Sequence, residues 1–133
     1  MAQKKIVGLS FPVTLFNRSA DQIPLPDQSV DTGVVTWSLC SIRNPPAALK
    51  EMRRLLKPGG SLIFVEHGLS PDSAVQSWQN RLTPFWRRMA GGCHLNRKID
   101  DVIRDAGFTI EHLETRYIPG WRPVTYHYIG VGR

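Results

Sequence analysis

Acidic residues are missing from Ser73 to Ile99, a stretch that still holds Arg81, Arg87, Arg88, Arg97 and Lys98 and so carries +5 of a formal net charge of +6. The basic character is therefore local, and an anionic partner is worth weighing for that segment more than for the whole chain. Cysteine is scarce. Cys40 and Cys93 alone are too few for a disulfide framework or a four-ligand cysteine site for zinc, so both are expected to be reduced and no metal is expected. Long apolar runs are lacking as well: the longest, Leu62 to Val65, has four residues, and Ile6–Val7 is too short for the core of a leader. Neither a membrane span nor a secretory leader is expected, which makes the address cytoplasmic. The 41% hydrophobic and 21% charged composition, with four Trp and five Phe, excludes the polar, highly charged signature of disorder. At 133 residues the chain suits one domain, 1–133, with a core of useful size.

Short apolar runs rich in β-branched residues at Val13–Phe16, Val34–Trp37 and Leu62–Val65 predict strands buried on both faces. Asn44 before Pro45 is a helix start, and Leu49, Met52, Leu55 and Leu56 then recur at helical spacing until Lys57-Pro58-Gly59-Gly60 stops them. Strand, helix and strand in that order predict a parallel pair joined by a right-handed crossover. Ser70–Pro71 opens a second helical stretch, with Val75, Trp78, Leu82, Phe85, Trp86 and Met89 as its apolar stripe. Pro84 within it predicts a kink or two short helices, Thr83 capping the second. After Gly91–Gly92, Asn96 is expected to cap a helix carrying Ile99, Val102, Ile103 and Ala106, closed by Gly107 in the left-handed region. Strands near Thr109–Tyr117 and Val124–Gly130 complete an α/β pattern, whose ligands bind beyond the carboxyl ends of the strands.

Three blocks then stand in order: Ser19-Ala20-Asp21 through Val30-Asp31, Val34-Val35-Thr36-Trp37-Ser38-Leu39, and Leu55-Leu56-Lys57-Pro58-Gly59-Gly60 through Val65-Glu66. Together they resemble the class I S-adenosylmethionine-dependent methyltransferases of type 11. Val65-Glu66-His67, the Trp-rich segment and Gly92-Cys93-His94-Leu95-Asn96-Arg97 are similar to a subgroup of small-molecule thiol methyltransferases. The resemblance implies a partial Rossmann-like fold, a mostly parallel sheet with an antiparallel C-terminal strand. It implies S-adenosylmethionine as cofactor, with Ser19 and Ala20 flanking the adenine and Thr36, Trp37, Ser38 and Leu39 lining the centre of the site. Many relatives carry Asp where this chain has Ser19.

Each of these residues also has a plainer reading. Trp37 and Leu39 suit packing at a strand end, and Ser19 and Asp21 suit a turn. Glu66 and His67 end a central strand, where His67 is placed to accept a proton from an acceptor thiol or hydroxyl, or to bond a nearby loop. Cys93 and His94, with Trp78 and Trp86, are candidates for the substrate mouth in a cap or lid of about residues 70–96. The same basic aromatic segment suits a contact with an anionic membrane or a solvated cap helix. Nucleic acid is not expected, because no recognition motif accompanies the modest charge excess.

The family match starts at the family's third strand. The glycine-rich turn that approaches the cofactor and the acidic residue that holds its ribose are not found, since the only Gly-x-Gly, Gly130-Val131-Gly132, has no helix after it. A fold lacking its first two strands is the expectation, by truncation, misplaced start or gene split. Val34–Trp37 then becomes an exposed edge that pairs with a second copy or with an exchanged first strand. The expected function is methyl transfer to a small apolar thiol, hydroxyl or ring carbon. The alternative is a noncatalytic, self-associating remnant that binds a protein or an anionic membrane.

Overall fold

Asn44 accepts the Ala47 N–H on its side-chain oxygen at 3.3 Å and Pro45 fills the first helical position, so helix α1 runs Pro45–Leu55. This computed structural model describes residues 10–133. Residues 1–9, with Ile6–Val7, lie outside the described residues. Strand β1 (Val30–Thr36) precedes α1 and β2 (Leu56–His67) follows it, the two pairing in parallel. Helices α2 (Ser73–Met89) and α3 (Ile99–Asp105) come next, then β3 (Ile110–Tyr117), a 3₁₀ turn at Arg122–Val124, and β4 (Tyr126–Gly132).

The sheet order is β1-β2-β4-β3. Because β4 is antiparallel to both neighbours, the other three strands share one direction, which is the mostly parallel sheet with one reversed C-terminal strand that the resemblance implies. The main core gathers Leu49 from α1, Leu62 and Phe64 from β2, Ile99 and Ile103 from α3, and Tyr126 and Tyr128 from β4. A smaller cluster of Cys40, Cys93 and Leu95 is packed by Leu82, Trp86 and Ala90. At the sheet centre only glycine fits position 130, where a Cβ would lie 2.5 Å from the Phe64 ring and 2.4 Å from the His112 carbonyl.

Four expectations need correction. Val13–Phe16 forms no strand, and its residues are exposed; no strand lies beside them to take up their backbone hydrogen bonds. Of the two outcomes expected at Pro84, the two short helices are excluded, since α2 continues through it. Both Pro84 and Asn80, whose carbonyl loses its partner, are exposed, so water can serve that oxygen, and Thr83 bonds back to the Gln79 carbonyl at 2.7 Å instead of capping. Asn96 gives its amide to Asn80 at 2.9 Å, leaving Lys98 as the uncapped start of α3. Lys57-Pro58-Gly59-Gly60 makes an excursion within β2, between the pairs Val30–Leu56 and Thr32–Ser61. Gly59 takes φ +78° there, and Gly107 takes φ +89° after α3 as predicted.

Candidate functional site

The chain leaves β1 at its carboxyl end and turns at Trp37, whose φ of 46° lies in the left-handed region. That turn is held from both sides. The buried carboxylate of Glu66 accepts the backbone N–H groups of Ser38 at 2.8 Å, Leu39 at 3.0 Å and Cys40 at 3.1 Å. From the other side, the Arg97 guanidinium donates to the carbonyls of Leu39 and Ile42, and the His94 N–H donates to that of Cys40 at 2.8 Å. Donors meet a carboxylate and acceptors meet a guanidinium, so each end of the peptide dipoles has its charge. Burial lowers the Arg97 pKa, and burial and then Arg97 lower that of His94. Both Glu66 oxygens, proposed from sequence for catalysis, are engaged by backbone N–H groups of the turn.

Successive residues of a strand face opposite ways, so His67 points away from Glu66. Its ring stacks on Trp37 at 6.1 Å and lies 4.5 Å from the His127 ring. Trp37 Nε1 donates to His127 Nε2 at 3.0 Å, and burial pushes the His127 pKa down. His67 Nδ1 is 3.8 Å from Cys93 Sγ, and the Cys40 sulfur joins them, all three atoms lying within 4.8 Å of one another. A shared hydrogen bond, then burial, holds the Cys40 thiol above the ordinary range, while the same bond lowers the Cys93 pKa. A cavity of about 210 Å³ opens on this cluster, lined by Trp37, Cys40, Ser41, His67, Trp86, Ala90 and Cys93.

The turn also walls a second space. An apolar cavity of about 360 Å³ is bounded by Ala20, Ser38, Leu39 and residues of β1 and α1. It adjoins a more polar cavity of about 420 Å³ with Ser19, Asp21, Arg43 and Asn44 in its wall; Ala20, Ile42 and Ala48 belong to both. An apolar slot beside a polar one carrying a carboxylate fits the ring and sugar of a nucleoside. Asp21, two residues after Ser19, places a carboxylate in the wall of the polar cavity.

Of the residues singled out from sequence, Ser19, Ala20, Ser38 and Leu39 border the paired cavities, while Trp37, His67, Trp86 and Cys93 border the small one. Thr36 lies at the exposed end of β1 and lines neither space. Trp78 is outside the site, exposed and edge-on to Trp121 at 6.5 Å. His94 is a staple on the Cys40 carbonyl rather than a wall of the mouth. Sequence reasoning missed Cys40, Arg97 and His127 as parts of the site. Cys40 and Cys93 are 53 positions apart, and no spacing rule joins them.

The chain's residues 1–64 match the family model of a methyltransferase domain. The chain is 42% identical over 108 residues to the thiol S-methyltransferase TMT1B of Rattus norvegicus, an alignment covering 80% of this chain and 44% of that protein. It is 41% identical over 101 residues to a ubiquinone/menaquinone biosynthesis C-methyltransferase of Cupriavidus taiwanensis, over 73% of this chain and 41% of that protein. It thus spans less than half the length of these curated relatives. A SAM-dependent methyltransferase structure from Methanosarcina mazei superposes with a TM-score of 0.67 at 18% identity, covering 86% of this chain and 64% of that one.

Proposed function

From a methyltransferase-domain match and a Rossmann-like methyltransferase fold as premise, we propose that this chain supports methyl transfer from S-adenosylmethionine to a small apolar thiol. The cofactor, when bound, supplies a methyl group on a sulfonium. One observation carries the reading: a single clamped turn, Trp37 to Ser41, walls both a nucleoside-sized space and a smaller cavity whose polar lining is Ser41, His67, Cys40 and Cys93. Ala20, Ser38 and Leu39 would hold the nucleoside, with Asp21 beside it. Trp37 and Trp86 would pack the apolar part of the acceptor and exclude water from it, as transfer to a desolvated nucleophile requires. The thiol relative favours sulfur over carbon as the acceptor atom, and hydroxyl and ring-carbon acceptors are the other outcomes of an acceptor screen. Calorimetric titration with S-adenosylhomocysteine tests the cofactor half: micromolar binding is expected, and no binding at millimolar ligand overturns it. The described residues contain no helix long and apolar enough to cross a membrane; a cytoplasmic setting would keep the thiols reduced.

A second reading rests on α2. Trp78, Phe85 and Met89 are exposed along it, with Arg81, Arg87 and Arg88 exposed between and beside them, a pattern suited to an anionic membrane surface. Liposome association that is lost on replacing Arg87 and Arg88 by Ala would support it, and association unchanged by those replacements would exclude it. The β1 edge, with Val34 and Trp37 exposed, supports pairing with a second copy; a clean monomer by light scattering would rule that out.

A further inference from the structure

We propose that Cys40, His67 and Cys93 form a zinc site with one open position facing the small cavity. The two sulfurs and the imidazole Nδ1 come from three separate places, the clamped turn, the end of β2 and the turn after α2, yet lie within 4.8 Å of one another. Tetrahedral zinc with bonds of about 2.3 Å to sulfur and about 2.0 Å to nitrogen separates its ligand atoms by roughly 3.5 to 3.8 Å. The Cys93 Sγ to His67 Nδ1 distance, 3.8 Å, is within about 0.3 Å of the sulfur–nitrogen edge of that tetrahedron. Small rotations of side chains would close the others.

The surroundings agree with a charged sulfur pair. Two thiolates neutralise one divalent cation, which a buried site requires, and both cysteines are buried. Trp86 Nε1 is buried with no hydrogen-bond partner, and Trp86 lines the same cavity beside Cys93. A thiolate at Cys93 would give that stranded donor an acceptor. Ser41 Oγ, 3.5 Å from Cys40 Sγ, is placed to donate to the other sulfur. Because each of the three ligand residues lines the cavity, the fourth position of the metal opens into it, as at catalytic rather than structural zinc sites.

That open position suits a sulfur ligand. Zinc would bind an incoming thiol as its thiolate, the proton leaving to solvent and the new zinc–sulfur bond replacing water. This last part rests on the methyl-transfer reading: the bound sulfur's electron pair forms the new bond to the methyl carbon, the old carbon–sulfonium bond breaks toward the cofactor sulfur, and a neutral thioether leaves. The metal site itself does not depend on it.

Reduced full-length chain should bind one cobalt(II) ion as a zinc surrogate, with thiolate-to-cobalt charge-transfer bands and the intense visible bands of a tetrahedral site. Zinc should displace the cobalt and abolish those bands. Cys93→Ser and His67→Asn should each weaken zinc binding about 100-fold or more, beyond the usual loss of an outer-shell partner, whereas His112→Asn, at an exposed histidine on β3, should not. Circular dichroism of each variant separates lost ligation from lost fold. A cobalt spectrum without thiolate bands, zinc binding unchanged in a folded Cys93→Ser, or a Cys40–Cys93 disulfide in place of metal would overturn the site. A small alkyl thiol should shift the visible bands; bands that ignore it refute the open position. Cobalt bands without S-adenosylhomocysteine binding would leave the metal site standing and remove only its link to methyl transfer.

Discussion

The turn from Trp37 to Ile42 and the segment from Ser10 to Asp27 both lack strand and helix, yet they are held in opposite ways. The turn has its donors on a buried carboxylate and its acceptors on Arg97 and His94. The segment is richer in large apolar residues near its start, but Phe11, Val13, Leu15 and Phe16 are exposed. It is tied down only toward its end, where the Ile23 N–H donates to Glu51 at 2.8 Å and Arg54 donates to the carbonyls of Ile23 and Leu25. Hydrophobic content does not order a segment unless a surface is there to receive it and its peptide groups find partners.

The sharpest way to break this contrast is Glu66→Ala, which strands three backbone N–H groups at about 1 to 3 kcal/mol each. A loss of at least about 3 kcal/mol is expected in urea unfolding, with Glu66→Gln between it and the parent because one oxygen survives. Unchanged stability in Glu66→Ala would mean that the turn is not held as described. Arg97→Lys should follow, losing about 1 to 2 kcal/mol as the rigid guanidinium, whose Nη1 serves both carbonyls, is replaced by a flexible ammonium, with faster amide exchange confined to residues 38–42.

The effect of Glu51 should be smaller and dependent on pH. Arg54, then the Ile23 N–H, holds its carboxyl down to about 2 from an ordinary 4.5. A depressed folded-state pKa means stability that is present above about pH 4.5 and drains away as the pH falls toward 2. Glu51→Gln should therefore lower the urea midpoint at pH 7 and flatten its acid decline; a decline as steep as the parent's would exclude the pair as its source. Least of all, Val13→Asn should change stability by no more than about 0.5 kcal/mol, as at ordinary exposed positions. A larger loss would show that the Phe11–Phe16 stretch has a partner in solution.

Much of the fold is legible in single residues: the Asn44–Pro45 helix start, the left-handed Gly107, and the two late strands, displaced by one or two positions. These signals are local, set by caps, glycine backbone freedom and the strand period. Asn96 misled because an equally good partner, Asn80, lies across space, and Pro84 because its freed carbonyl faces outward. Ser19, Ala20, Ser38 and Leu39 were singled out only through family resemblance, and His67 and Cys93 were singled out separately, whereas their meeting with Cys40 was not legible. The three are brought together by the crossover topology, and no spacing rule links Cys40 to the segment that carries Cys93.

The four tryptophans divide evenly. Trp78 and Trp121 pair on the outside, while Trp37 and Trp86 line the small cavity, one against two histidines and the other near the Cys93 sulfur. The molecule therefore carries its own optical probe: imidazole and sulfur neighbours modulate indole emission, and two of its four emitters line the cavity. Filling that space should be visible by eye of a fluorimeter without a label, and a Trp78→Phe, Trp121→Phe background would leave only the light that comes from the site.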